Sequence, residues 1–209
     1  PDHRHQGNPG KTILKKTVKT IILANWGIGL EIVRFLHSLP DINIELIITR
    51  HHPHSEDVWE NAVYTYAKAN GYRTLPENEL TFPELRDEIL NKKIDVLIIH
   101  AFMRKLPPEV FSAPLYGSIN IHPSFLPKYR GPSPTYWVLH NREKSTGLTC
   151  HYVDDNFDTG PIIYQIEVPV FPDDTHDKLI ERQKAVTGEL LQESLRRITD
   201  SLFIPIPQN

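Results

Sequence analysis

The feature that most restricts what this chain can fold into is a series of short, almost uninterrupted apolar runs separated by helical patterns. VKTIILA (Val18 to Ala24), INIELIIT (42–49) and IDVLIIHA (94–101) all have strand length and are rich in β-branched residues. A strand apolar on both faces must be buried on both faces, which happens in parallel sheets covered by helices. The segments between them fit that frame. In LEIVRFLHSL, Leu30, Ile32, Val33, Phe35, Leu36 and Leu39 suit a well-buried helix ended by Pro40. Ser55 to Asn70 reads as a second helix with Gly71 at its C-terminal cap, and Phe82 to Asn91 as a third.

After SINIH (118–122) the pattern changes. A short helix near Pro134 to Leu139 precedes two strand-like runs, TGLTCHYV and PIIYQIEVPV, close enough together to be antiparallel. A long amphipathic helix from about Thr175 to Ile198 follows. The expected fold is therefore α/β: an open, mainly parallel, Rossmann-like sheet with helices on both faces and antiparallel strands near the C-terminal end. Residues 18–209 form one domain in this reading. Residues 1–17, polar and basic with no periodicity, are expected to be a flexible tail.

Composition narrows the classes. With 39% hydrophobic residues the chain can fill such a core, and a formal net charge of -3 gives no global attraction to nucleic acid or an anionic membrane. The single cysteine, Cys150, leaves no internal disulfide, fits a reducing compartment and falls inside a strand pattern, where a core role is expected. No apolar run approaches the roughly 18 residues of a spanning helix. The expectation is a soluble, cytoplasmic protein.

Several stretches invite a chemical reading. Gly27-Ile28-Gly29 sits at the first strand-to-helix turn, but a dinucleotide fingerprint needs a small residue at position 32, and Ile32 is too large. The glycines are instead expected to let backbone N–H groups at a helix start approach a polar or anionic substrate group. HHPH (51–54) lacks the ligand spacing of a metal cluster and reads as a solvated loop. NIHPSFLPKYRG is different. In an extended strand Asn120 and His122 project to one side, and Pro123 holds His122 out of the α region. They stand at the C-terminal end of a strand, where open parallel sheets bind ligands. An Asn amide can donate to a developing oxyanion, and an imidazole can donate or accept a proton near neutral pH. A carboxylate to orient the ring is available in DDNFDTGPII, with Asp154, Asp155 and Asp158 as the candidates.

Taken together, NIHPSFLPKYRG, STGLTCHYV and DTGPII resemble the folate-dependent formyltransferase family, and the resemblance runs from about Lys19 to the final helix. It implies transfer of a formyl group from 10-formyltetrahydrofolate to a primary amine, without a metal. It also implies a catalytic trio of Asn120, His122 and Asp158, which selects among the three aspartates. Whether His122 acts as a base or stabilises an oxyanion stays open. AFMRKLP resembles the folate-reading segment, placing Phe102, Met103, Arg104, Lys105 and Leu106 at the cofactor, with Val153 and Asp155 on the opposing loop. Trp26, Gly27, Gly29, Tyr129, Arg130 and Gly131 are the expected acceptor-side residues.

The expected partner is a small-molecule amine, with no nucleic acid or membrane; a homodimer is compatible with the reading. YRGPSP, YWVLHN and GIGLEIVRFL resemble the branches acting on nucleotide-linked amino sugars and on methionyl-tRNA, and the acidic balance disfavours tRNA. The lead acceptor is thus a nucleotide-linked amino sugar; the alternative is glycinamide ribonucleotide. Against that alternative, Asn25-Trp26-Gly27-Ile28-Gly29 replaces the expected phosphate loop and Thr187 stands where a ribose-binding glutamate is expected. Hydrolysis of 10-formyltetrahydrofolate and a non-catalytic folate-binding module are the remaining readings. Basic residues gathered near Trp26 and the HHPH loop would favour a nucleotide diphosphate.

Overall fold

A computed structural model describes Leu14, residues 16–52 and residues 60–209. Among these residues the strands are β1 (Val18–Ala24), β2 (Ile42–Thr49), β3 (Thr74–Pro76), β4 (Val96–His100), β5 (Ser118–His122), β6 (Ser145–Tyr152) and β7 (Ile162–Pro169). They form one sheet in the order β3-β2-β1-β4-β5-β6-β7. Every pairing from β3 to β5 is parallel, and β6 and β7 join antiparallel. This is the expected α/β architecture.

The apolar runs are continuous because each face of the sheet has its own core. On β1 and β4, Val18, Ile22, Val96 and Ile98 face one cluster while Ile21, Leu23, Leu97 and Ile99 face the other. The first is covered by α1 (Trp26–His37) and α6 (His176–Ile198), through Ile32, Val33, Leu36, Leu190, Leu191 and Leu195. The second is covered by α3 (Phe82–Lys92), through Leu85 and Ile89, and by the short α4 (Pro108–Phe111), through Val110. Each fully buried aliphatic side chain contributes about 2 kcal/mol of transfer free energy. Helix α6 starts at Thr175, whose hydroxyl accepts the Lys178 N–H, and α3 starts likewise at Thr81, which accepts from Glu84. The remaining helices are α2 (Ala62–Ala69) and α5 (Pro134–His140).

Some boundaries differ from the sequence reading. Helix α1 begins at Trp26, so the glycines lie in its first turn. Gly29 faces the sheet there: a Cβ would lie 3.2 Å from the Ala24 carbonyl carbon, so the missing side chain serves close helix–strand packing. That is the role the fingerprint assigns to position 32, which allows Ile32 to enter the core. Helix α2 is shorter than expected and begins at Ala62, while 55–59 lie outside the described residues. Gly71 follows it with φ 74, a left-handed conformation suited to a residue without a Cβ. Short β3, the 3₁₀ turn Glu77–Glu79 and α4 carry too few residues for a periodicity signal. Of the expected tail, 1–13 and 15 lie outside the described residues, yet Leu14 is buried with its N–H bonded to Asp41. Lys16 pairs with Asp95 at 3.2 Å. The fold therefore holds at least two residues ahead of Val18. No helix among the described residues is long and apolar enough to cross a membrane.

Candidate active site

The strand order reverses between β1 and β4, and the crevice beyond their C-terminal ends is where such sheets bind ligands. Asn25 knits this edge together. Its side-chain N–H₂ donates to Ala101 O (3.0 Å) and Glu77 Oε2 (2.9 Å), while its Oδ1 accepts from Thr49 Oγ1 and the Arg50 N–H. With that amide committed, the next residue turns sharply: Trp26 takes φ 59 and is left part-exposed under the Arg50 guanidinium, 4.8 Å from its ring. A cavity of about 940 Å³ opens here, lined in part by Trp26, Gly27, Asn120, His122, Asp158 and Lys184.

Asn120, His122 and Asp158 converge. Asn120 Nδ2 donates to Asp158 Oδ1 at 3.0 Å, and His122 Nδ1 lies 3.4 Å from Asp158 Oδ2. Asp158 has φ 56, and its Oδ2 also accepts the Gly131 N–H at 2.8 Å. The other two aspartates point elsewhere: Asp154 accepts from the Thr159 hydroxyl and the Asn156 N–H, and Asp155 is exposed. The following Gly160 has a steric cause, because a Cβ there would sit 1.8 Å from Tyr152 O.

A fourth polar side chain completes the cluster. His151 on β6 is the register partner of Asn120, and its side chain is 2% exposed. Its Nδ1–H donates to Tyr152 O, which leaves Nε2 to accept from Asn120 Nδ2 at 3.2 Å and to lie 3.4 Å from Asp158 Oδ1. The sequence signal for it was weak: a His in a strand pattern, two residues from the segment end, whose partner is set by antiparallel register. His100, at the end of β4, also lines the cavity and donates from Nδ1 to Ile121 O.

The electrostatics are those of a buried anion among imidazoles. Burial pushes the Asp158 carboxyl up, but the neighbouring His151 and His122 imidazoles and the Gly131 N–H outweigh it and hold Asp158 below its ordinary value. His122 Nε2–H donates to Tyr129 O at 2.8 Å. Its two ring nitrogens thus face a carbonyl and a carboxylate, both acceptors, and the doubly protonated ring satisfies both. Burial opposes that charge and wins over Asp158 and Tyr129, so the His122 pKa lies below normal. His100, buried beneath the cavity floor, is lowered to about 4 by burial. Cys150 is buried in the core and its thiol is pushed up to about 12.

The other expected site residues divide. Phe102, Met103 and Gly131 line the cavity beside Trp26 and Gly27. Leu106 belongs to the second core, and Val153 packs against it. Lys105 is exposed. Arg104 donates to Leu80 O at 2.9 Å and lies over the Phe82 ring, outside the main cavity. The Tyr129 hydroxyl points to Glu143 (2.7 Å), and Arg130 points to Gln208, so their side chains do not line the cavity. Nor does Gly29, which packs on Ala24. Thr187 is buried and bonds the Gln183 carbonyl of its own helix. A second pocket of about 680 Å³ is lined by Arg50, His51, His52 and Arg104, together with Glu77, which pairs with Arg50 at 3.7 Å. The His51 ring stacks on Tyr64 at 3.8 Å, while Pro53 and His54 lie outside the described residues. No group of three or more metal-binding side chains occurs among the described residues.

The curated methionyl-tRNA formyltransferase of Acetivibrio thermocellus is 36% identical over 146 residues, covering 70% of this chain and 47% of that protein. The chain spans about half the length of the curated relatives it matches. Among solved structures, phosphoribosylglycinamide formyltransferase from Bacillus halodurans superposes with a TM-score of 0.72 at 27% identity, covering 88% of this chain and 96% of that one. A formyltetrahydrofolate deformylase from Pseudomonas syringae shares the fold, with a TM-score of 0.73 at 23% identity over 93% of this chain and 67% of that one. The formyl transferase family profile matches residues 42–195, well over half of the chain, and the chain belongs to the formyl transferase family.

Proposed function

We propose that this chain transfers a formyl group from 10-formyltetrahydrofolate to a primary amine, using Asn120, His122 and Asp158. The observation that carries the reading is the convergence of an amide and an imidazole from the end of β5 with a carboxylate from the loop after β6, on one cavity at the sheet's switch point. The neutral amine attacks the formyl carbon and a C–N bond forms. The carbonyl oxygen becomes an oxyanion, and the amine sheds a proton as the bond to the folate nitrogen breaks and that nitrogen takes one up. Donors aimed at the oxyanion are worth about 3 kcal/mol each. Both Asn120 N–H groups are already engaged, one by Asp158 and one by His151, and His122 Nε2–H is held by Tyr129 O. Substrate must therefore draw one of these donors inward. Asp158 sits where it can favour the imidazolium and pass the amine proton through a water. Phe102 and Met103 supply apolar wall for the pterin.

For the acceptor, we infer an amine carried on a nucleotide, with a nucleotide-linked amino sugar as the lead. Part-exposed Trp26 and exposed Tyr136 offer stacking surfaces for a base, and Arg50, His51, His52 and Arg104 gather in the pocket beside Trp26. Glu77 offsets part of that charge. The test mixes the chain and 10-formyltetrahydrofolate with an amino-sugar nucleotide, glycinamide ribonucleotide, methionyl-tRNA or no amine, and follows tetrahydrofolate. Release that depends on the amino sugar supports the reading. Release only with glycinamide ribonucleotide or methionyl-tRNA moves the acceptor, and equal release without amine replaces transfer by hydrolysis.

A further inference from the structure

Asp158 is bonded to Asn120 and Gly131 through its carboxylate, and its loop has a further tie through the backbone. Its backbone is left-handed at φ 56, and the facing turn contains two more such residues, Tyr129 (φ 59) and Gly131 (φ 87). The tie comes from residues distant in sequence. Ile206 forms an antiparallel bridge with Ile162 at the start of β7, through N–H···O bonds of 2.7 and 2.8 Å. That bridge sets Gln208 between the two loops. Its Nε2 donates to Asp158 O (3.1 Å) and Gly160 O (2.7 Å), and its Oε1 accepts from Arg130 Nε (3.1 Å) and Nη2 (2.9 Å). All four hydrogen-bonding positions of the amide are used, and only an amide offers donors on one side and an acceptor on the other.

We infer that Gln208 is a positioning residue for Asp158: it clamps the Asp158 loop to the Tyr129–Gly131 turn, so that the carboxylate stays on Gly131 N–H and within reach of His122. The inference rests on the proposed role of Asp158 in formyl transfer. A loose clamp lets the carboxylate leave the imidazole without emptying the folate site, so the effect falls on turnover and not on cofactor binding.

Gln208→Glu separates the two halves of the clamp. It keeps an acceptor for Arg130 but sets carboxylate oxygen against two carbonyl oxygens. Gln208→Ala removes both halves, and Leu202→Ser, at an exposed side chain, serves as control. Amide hydrogen exchange of peptides covering 129–133 and 153–160 in the full chain reads the positioning without needing an acceptor. With the amine that the panel identifies, kcat and the KM for 10-formyltetrahydrofolate read its consequence. The expected result for Gln208→Glu is exchange of Gly131 and the Asp158 loop about tenfold faster, kcat down about tenfold, unchanged KM and unchanged melting temperature. Unchanged exchange in both Gln208 variants overturns the inference whatever the activity. Faster exchange with unchanged kcat overturns it as well. Faster exchange in a chain that formylates no amine leaves the clamp standing and removes the formyl-transfer reading instead.

Discussion

Replacing Asp158 with Asn probes the charge of the site while nearly preserving its shape. In the native arrangement the carboxylate lies 3.4 Å from His122 Nδ1, with both side chains nearly enclosed. Two unit charges at that distance attract by roughly 5 kcal/mol at an effective dielectric of about 20. The residual amide dipole and local water reduce the net loss to about 2–3 kcal/mol, which corresponds to a rate loss of roughly 10²-fold if the imidazolium carries the reaction. A second cost is geometric. Oδ1 accepts from Asn120 and Oδ2 from Gly131, and an Asn side chain has only one oxygen, so one N–H must face another. The assay pairs formyl transfer to the panel amine with an NMR titration of the His122 ring. Asp158 raises the His122 pKa in the native protein, so in Asp158→Asn the ring must titrate at lower pH than in the wild type. A ring that titrates unchanged or higher, or a rate within threefold of wild type with folate still bound, refutes the assignment of Asp158 as the partner of His122.

Other outcomes follow from the same structure. Burial lowers His100 to about 4 in the fold against 6.5 unfolded, so the unfolded chain binds the proton first. The stability this group contributes is complete above pH 6.5 and lost as pH falls toward 4. Urea unfolding should show about 2.5 kcal/mol of loss from His100 between pH 7.5 and 4.5, and His100→Asn should lose that part of the slope. Gly160→Ala sets a Cβ 1.8 Å from Tyr152 O, backbone that cannot yield cheaply, so thermal unfolding should reveal a loss of about 2 kcal/mol or more and activity should fall with it. Cys150 should resist a thiol reagent at pH 8 in the folded protein and react fully in urea; rapid labelling of the native chain would contradict its buried, raised-pKa environment.

Much of this fold was legible because its strands are buried on two faces. Val18–Ala24 and Ile42–Thr49 match their apolar runs residue for residue, since most of each strand is buried on both faces of a parallel sheet. The Asn120–His122 pair was legible for an equally local reason: period two places both on one side of a strand, and Pro123 fixes the exit. Asp158 was not legible from spacing, because three carboxylates in one short loop look alike until the fold aims them, and resemblance had to choose among them. His151, Gln208 and the packing role of Gly29 could be seen only in three dimensions. His151 meets Asn120 through antiparallel register, Gln208 reaches Asp158 across a bridge between distant segments, and Gly29 is required by the distance from helix α1 to Ala24. The sequence by itself determined which segments are strands and which strand end carries the chemistry, since local periodicity and burial encode both. Only the tertiary structure decided which carboxylate meets the imidazole and what holds it there, because those contacts join residues whose spacing along the chain carries no information about their distance in space.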